Sequence, residues 1–199
     1  MNSGFELENF SCRAVKQVNL VLSPGQCLGL TGPSGTGKTL FMRALADLDA
    51  YEGRMLLDGV AASAIPAPQW RRQVGLLPAE SAWWADSVGD HFDHVPTEWL
   101  QRLGFADQVM EWQVRHLSSG ERQRLSLLRL LVHKPRVLLL DEPTANLDAR
   151  NIDAVESLLQ QVRAEQQPGM LWVSHDVEQL KRWCDPILLL EDKQLILWK

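Results

Sequence analysis

The segment 32-GPSGTGKT-39 holds the residues whose types and spacing point most clearly to chemistry. It matches the pattern G-x-x-x-x-G-K-[ST], and it lies where an apolar strand-like run gives way to a predicted helix. Glycines let successive backbone N–H groups turn toward one anion, and a helix N-terminus adds the positive end of its dipole. The segment therefore predicts a cradle for the phosphates of a nucleotide. The cradle residues are Gly32, Pro33, Ser34, Gly35, Thr36, Gly37, Lys38 and Thr39.

A second run, 137-VLLLDE-142, ends in two carboxylates. In cradles of this type the lysine, here Lys38, reaches the β- and γ-phosphates, and the hydroxyl of Thr39 binds Mg²⁺. Asp141 would emerge at the C-terminal end of a buried strand, where ligands bind in open α/β sheets, and complete the metal site. Glu142 would then serve as general base for the attacking water. Such a run is often only a strand entering a loop, so the prediction depends on its pairing with the cradle.

The elements that must position these residues follow from short apolar runs that alternate with helix-like patterns. Apolar strands separated by helices favour a mostly parallel sheet covered on both faces. The runs are 26–32, 74–78, 136–142 and 170–175. Residues 53–59 predict a hairpin strand with a turn at Asp58-Gly59. Residues 85–113 interrupt the alternation and predict an inserted helical subdomain.

Composition limits the classes of function. The chain has 199 residues, 45% of them hydrophobic, and a net charge of −5, which suits one domain with a sizeable core. Nucleic acid is not expected, because its binders usually present a basic surface; local basic positions such as Arg129 are interpreted as a solvated helix face. No signal peptide and no run near the ~18–20 apolar residues of a membrane span are found. Any work at a membrane would need a partner that supplies the span.

The stretch 117-LSSGERQRL-125 narrows the class. It resembles the LSGGQ signature of the ATP-binding cassette (ABC) ATPases, with Ser119 for the first glycine and Glu121 for the glutamine. The order of the other motifs also resembles that family, with 145-ANLD-148 and 174-SH-175 after the Asp-Glu strand. Taken alone, the stretch could be a helix N-terminus capped by Ser118 or Ser119.

The resemblance implies a P-loop NTPase fold of the ABC type, an α/β fold with a mostly parallel sheet core. An antiparallel β portion would lie near the N-terminus, and a helical subdomain would be inserted in the core. The chain would be a single ABC ATPase domain over 1–199. Its core would comprise about 1–80 and 115–199, and the signature subdomain about 81–118.

The resemblance also implies roles for residues beyond the cradle. In the family the signature of one chain closes on the ATP held by a second chain in a head-to-tail dimer, and the signature residues here are Ser118, Ser119, Gly120 and Glu121. Asp148 would lie at the dimer interface. His175 would contact the γ-phosphate and orient the attacking water.

The function implied is the ATP-binding, ATP-hydrolysing subunit of an ABC transporter, which uses ATP and Mg²⁺. ATP-driven closure of a homodimer or heterodimer would power a separate transmembrane subunit, from the cytoplasmic face of the inner or plasma membrane. The alternative is a soluble ABC ATPase that acts without transport, for example in cofactor assembly.

Three features depart from the family pattern or stay open. No aromatic residue for stacking on adenine is evident, although Arg13 could stack its guanidinium. A glutamine that ligates Mg²⁺ usually follows the strand at 74–78; here Ala79 replaces it, and Glu80 could reach the metal instead. Trp83 and Trp84 either pack the insertion against the core or anchor a docking partner.

Overall fold

The computed structural model describes residues 4–198 and contains two sheets, with six α-helices in that range. The strands are β1 (Phe5–Cys12), β2 (Val18–Leu22), β3 (Cys27–Thr31), β4 (Tyr51–Leu57), β5 (Val60–Ala61), β6 (Val74–Leu77), β7 (Val137–Asp141), β8 (Gly169–Val173), β9 (Ile187–Glu191) and β10 (Gln194–Leu197). The helices are α1 (Lys38–Leu45), α2 (Ala67–Gln73), α3 (Thr97–Arg102), α4 (Ser119–Leu131), α5 (Ala149–Gln166) and α6 (Val177–Trp183). Residues 1–3 and Lys199 lie outside the described residues.

The larger sheet confirms the predicted mostly parallel core. Its order is β10-β9-β3-β8-β7-β6, and only the β9–β10 pair in it is antiparallel. Every residue of β3, β7 and β8 is buried, as expected of parallel strands covered on both faces. The carboxyl ends of β3 and β7 therefore open at the same edge of the sheet.

The smaller sheet is the expected antiparallel portion, with the order β2-β1-β4-β5. β4 and β5 form the predicted hairpin, and its turn residues Asp58 and Gly59 have φ of 51° and 78°. Helix α2 was not predicted, because prolines stand at its N-cap (Pro66) and in its first turn (Pro68), and only Trp70 of the helix is buried. The Trp70 indole donates to the carbonyl of Leu45 at 3.0 Å and ties α2 to α1.

The inserted segment 85–113 is less helical than predicted. It contains α3, which is six residues long, and short 3₁₀ turns at Gly89–His91 and Asp107–Glu111. Helix is absent over most of the segment, since glycine and proline disfavour helix interiors; these residues are Gly89, Pro96 and Gly104. No helix among residues 4–198 is long and apolar enough to cross a membrane.

Candidate functional site: a phosphate cradle beside two carboxylates

The loop between β3 and α1 needs glycine for steric reasons. Gly32, Gly35 and Gly37 have φ of 146°, 82° and 101°, which residues with a side chain rarely adopt. A Cβ added at Gly32 would lie 2.5 Å from the carbonyl oxygen of Leu190, and one at Gly37 would lie 2.8 Å from the Ala14 Cβ. The sequence pattern thus corresponds to a tight backbone loop that opens a helix, as an anion cradle requires.

The Lys38 ammonium lies within this loop. The residue is 7% exposed, and its Nζ donates to the carbonyls of Gly32 (2.7 Å) and Pro33 (3.0 Å). Burial lowers the pKa of Lys38, while the nearby charges of Glu142 and Asp141 oppose that shift. The structure therefore places a desolvated cation against the loop that would receive phosphate.

The predicted metal ligands meet across the sheet edge. The Thr39 hydroxyl donates to Oδ2 of Asp141 at 2.7 Å, and Asp141 is 2% exposed at the end of β7. Hard oxygen ligands of this kind fit Mg²⁺, which takes one or two protein ligands and completes its shell with phosphates and water. Residues 4–198 contain no group of three or more His, Cys, Asp and Glu side chains suited to a metal.

Glu142 adopts a backbone conformation that is uncommon outside glycine, with φ of 52°. Its N–H donates to the carbonyl of Val173 at 3.1 Å, and its buried Oε1 accepts no hydrogen bond within the described chain. Nε2 of the half-exposed His175 lies 3.6 Å from this oxygen. Burial raises the pKa of Glu142, partly offset by His175. The carboxylate is thus more basic than usual and has an oxygen available for a proton.

The signature stretch begins α4 with a capping box. Ser118 Oγ accepts from the Glu121 N–H at 3.2 Å, and Glu121 Oε2 accepts from the Ser118 N–H (2.8 Å) and hydroxyl (2.7 Å). These hydrogen bonds lower the pKa of Glu121. The helix-cap interpretation is therefore confirmed, and Ser118 is the cap. A role toward the ATP of a second chain stays a prediction.

The signature and the segment 145–148 lie side by side. A Cβ at Gly120 would approach Leu147 Cδ2 to 3.0 Å, and Asp148 caps α5 by accepting from the Asn151 N–H at 2.9 Å. Among the described residues, no hydrogen bond or ion pair joins this region to the phosphate cradle.

The two tryptophans are held by a cluster that the sequence did not reveal. His91 is buried and accepts the N–H groups of Trp84 and Ala85 at Nε2, at 3.1 and 3.2 Å, while Nδ1 lies 3.0 Å from the Ser87 carbonyl. Two donors at Nε2 place the ring proton on Nδ1. Both indole rings contact the His91 ring, with centroids 4.6–4.7 Å apart.

Arg129 completes this cluster, so its interpretation as part of a solvated face is wrong. Its guanidinium lies 4.7 Å from the ring centroids of both Trp83 and Trp84, and it donates to the Ala82 carbonyl at 2.9 Å. Burial lowers the pKa of Arg129. The stack was hidden in the sequence because its partners are about 46 positions apart.

A groove of about 730 Å³ lies between the insertion, α4 and the loop after β6. Trp84, His91 and Arg129 line it, and Trp84 is 72% exposed. Trp83 is half-buried, so packing explains Trp83 better than Trp84. Glu80 is exposed in the same loop, and no hydrogen bond of the described chain involves its side chain.

The residue that would stack on adenine was not identified from the sequence. Phe10 is fully buried and stacks on Tyr51 with centroids 5.5 Å apart, so it cannot stack on a base. Arg13 is exposed in the loop after β1, whose Ala14 lies against Gly37 of the cradle. Arg13 therefore stays a prediction for base stacking.

Comparison with known proteins identifies a family that the chain resembles in sequence. A family model described as "ABC transporter" matches residues 15–145. The chain is 35% identical over 178 residues to the "Aliphatic sulfonates import ATP-binding protein SsuB 1" of Rhodococcus jostii, covering 88% of this chain and 72% of that protein. It is 29% identical over 192 residues to the "Probable iron export ATP-binding protein FetA" of Escherichia coli, covering 90% and 85%.

A solved structure supports the fold. A bacterial Atm1-family ABC exporter with ATP bound superimposes with a TM-score of 0.86 at 24% sequence identity. The match covers 98% of this chain and 38% of the exporter chain.

Proposed function

The chain belongs to the ABC transporter family of ATP-binding proteins, and on that premise we propose that it hydrolyses ATP to power a separate transmembrane subunit. The observation that carries the proposal is the convergence of Lys38, the Thr39–Asp141 pair and the Glu142–His175 pair at one edge of the sheet. Relatives named both as import and as export ATP-binding proteins favour transport over the alternative of an ABC ATPase without transport.

ATP would bind with its β- and γ-phosphates in the loop 32–39. Lys38 would exchange its two loop carbonyls for phosphate oxygens, since a buried ammonium gains most from an anionic partner. Thr39 and Asp141 would hold Mg²⁺, which would supply positive charge to offset that of the phosphates. Glu80 is proposed as a further metal ligand that takes the place of the missing glutamine at Ala79.

Hydrolysis would use Glu142 as the base. A water attacks the γ-phosphorus, its proton passes to the Glu142 carboxylate, and the bond to the β-phosphate oxygen breaks to leave ADP and phosphate. Burial raises the pKa of Glu142, which makes its carboxylate a stronger base than an exposed glutamate. His175, 3.6 Å from Glu142 Oε1, would orient that water and contact the γ-phosphate.

A second copy, or a related chain, would supply the other half of the site. The signature residues begin α4, where a helix N-terminus favours an anion. They adjoin the segment that ends at Asp148, and we propose that they serve the cradle of a second chain rather than that of their own. A head-to-tail dimer would bring each signature onto the ATP of the other chain. We also propose that the chain is one domain, made of a core and an inserted subdomain at 81–118.

The transmembrane subunit would dock in the groove that contains Trp84. An exposed indole held in place by His91 and Arg129 is suited to be an anchor, because its orientation is fixed before binding. The chain would then act at the cytoplasmic face of the membrane. No nucleic-acid partner is proposed.

Fractionation and ATPase assays together test the proposal. The chain, expressed in cells that make its transmembrane partner, should appear in the membrane fraction and hydrolyse ATP there. A Lys38→Ala variant should reach the same fraction without hydrolysis. Recovery only from the cytosol, with no membrane protein bound, would contradict the transport function.

A further inference from the structure

Gln179 in α6 connects three segments around the proposed catalytic pair. Its side chain is buried, with 3% of the residue exposed. Nε2 donates to Glu156 Oε1 at 2.7 Å and to Thr144 Oγ1 at 3.0 Å. Oε1 accepts from the hydroxyls of Thr144 and Ser174, both at 3.2 Å. One amide therefore joins the loop after β7, the loop after β8 and helix α5.

The two loops that Gln179 joins carry the proposed catalytic residues. Thr144 lies two positions after Glu142, and Ser174 immediately precedes His175. The Glu142 N–H also donates to the carbonyl of Val173, the last residue of β8. The two loops are therefore also joined where they leave the sheet. Two sets of contacts therefore hold Glu142 and His175 at their separation: the backbone bond between Glu142 and Val173, and the bonds of Gln179 to Thr144 and Ser174.

We propose that Gln179 is a positioning residue that sets the separation of Glu142 and His175. This inference rests on the proposed function, because it assigns to Gln179 the geometry of that reaction. Gln179 itself contacts neither catalytic side chain in the described hydrogen bonds. Its amide both donates and accepts, and this capacity is needed since Glu156 only accepts while the Ser174 hydroxyl donates.

The donor–acceptor pattern permits a reciprocal exchange. Gln179→Glu alone removes the donor to Glu156 and places two carboxylates together, so their repulsion should displace the side chain at position 179 from the two loop hydroxyls. Adding Glu156→Gln restores a donor between the same two positions, and both loop hydroxyls can still donate to the new carboxylate. Glu156→Gln alone keeps an acceptor for Gln179 and loses only a weak, exposed 3.4 Å contact with Arg182.

The test compares kcat, KM for MgATP and nucleotide affinity across this cycle. We expect Gln179→Glu to lower kcat about 10–100-fold, the range that a misplacement near 1 Å produces, while KM and nucleotide affinity change less than about threefold. The double variant should recover most of kcat. Gln160→Glu is the control, because it makes the same substitution at an exposed glutamine of α5, and its kcat should be unchanged.

Two results would overturn the inference. One is a kcat for Gln179→Glu within about twofold of the starting protein. The other is a loss of kcat that the double variant fails to recover while its thermal stability is normal. If Gln179→Glu does not fold, the double variant still tests the inference, because the inference requires that variant to fold and to hydrolyse ATP. Failure of the unmodified protein to hydrolyse ATP would instead contradict the proposed function.

Discussion

The Thr39 hydroxyl donates a 2.7 Å hydrogen bond to the Asp141 carboxylate, although the two residues are 102 positions apart. One begins α1 and the other ends β7. Their contact shows that the cradle and the buried strand converge on one point at the sheet edge. A hydroxyl and a carboxylate at that point form a site for a hard cation.

Thr39→Val should weaken the use of Mg²⁺, while Thr39→Ser should not. Valine has nearly the shape of threonine but lacks the oxygen that would bind the metal. We expect the Mg²⁺ concentration for half-maximal ATPase activity to rise at least about tenfold with valine, the equivalent of about 1.4 kcal/mol. Equal Mg²⁺ dependence of the two variants would contradict the assignment of Thr39.

Glu142→Gln should raise thermal stability at neutral and higher pH. The pKa of Glu142 is raised in the folded chain above its ordinary value of 4.5, so its contribution to stability is lost as pH rises through that folded pKa. Glutamine stays neutral, so the gain in Tm should grow as pH rises above 4.5 and level off once pH has passed the folded pKa. Unfolding followed by circular dichroism measures it.

Glu121→Gln is the matched control, and its effect on Tm should have the opposite sign. The pKa of Glu121 is lowered by its bonds to Ser118, so the carboxylate stabilises the fold above the ordinary value and that stability is lost as pH falls through the folded pKa. Glu121→Gln should therefore lower Tm at neutral pH and approach the unmodified protein in acid. Shifts of the same sign in both variants would contradict these assignments.

Glu80→Ala should raise the Mg²⁺ requirement of the ATPase if Glu80 takes the place of the missing glutamine. Its side chain is exposed in the loop after β6, so removal should leave stability unchanged. Glu111→Ala, another exposed glutamate in the insertion, is the control. An unaltered Mg²⁺ titration for Glu80→Ala would remove it from the metal site.

Trp84→Ala should weaken binding to the transmembrane subunit without reducing basal ATPase activity. An exposed tryptophan at the centre of an interface commonly contributes about 2 kcal/mol or more, so Kd should rise at least about tenfold. Trp112→Ala is a suitable control, since Trp112 is 45% exposed but lies outside the lining of the groove. Binding by both variants with equal affinity would exclude Trp84 as the anchor.

The sequence predicts those structural elements whose conformation is determined by residues close to one another in the chain. The glycine spacing of the cradle and the apolar run of β7 each determine a conformation within a few residues. The alternation of such runs with helices was sufficient to predict the parallel sheet. The predicted Asp58-Gly59 turn is local in the same sense.

Contacts between distant positions were not predictable in this way. The bonds of Gln179 to Thr144 span 35 positions, and the stack of Arg129 on Trp83 spans 46. Neither residue lies in a motif, and a polar side chain acquires its partner only when the chain has folded. The helical prediction for residues 85–113 was largely wrong for a different reason. The helical pattern there is weak, and glycine and proline interrupt it.

The most direct test of the account is the rate of phosphate release from MgATP by the unmodified protein and by Glu142→Gln. The variant keeps the shape of the side chain but cannot accept a proton. We expect the unmodified protein to turn over ATP, and the variant to lose at least about 100-fold in kcat with unchanged nucleotide affinity. Equal rates in the two proteins, or failure of the unmodified protein to bind ATP, would contradict the assignment of this site.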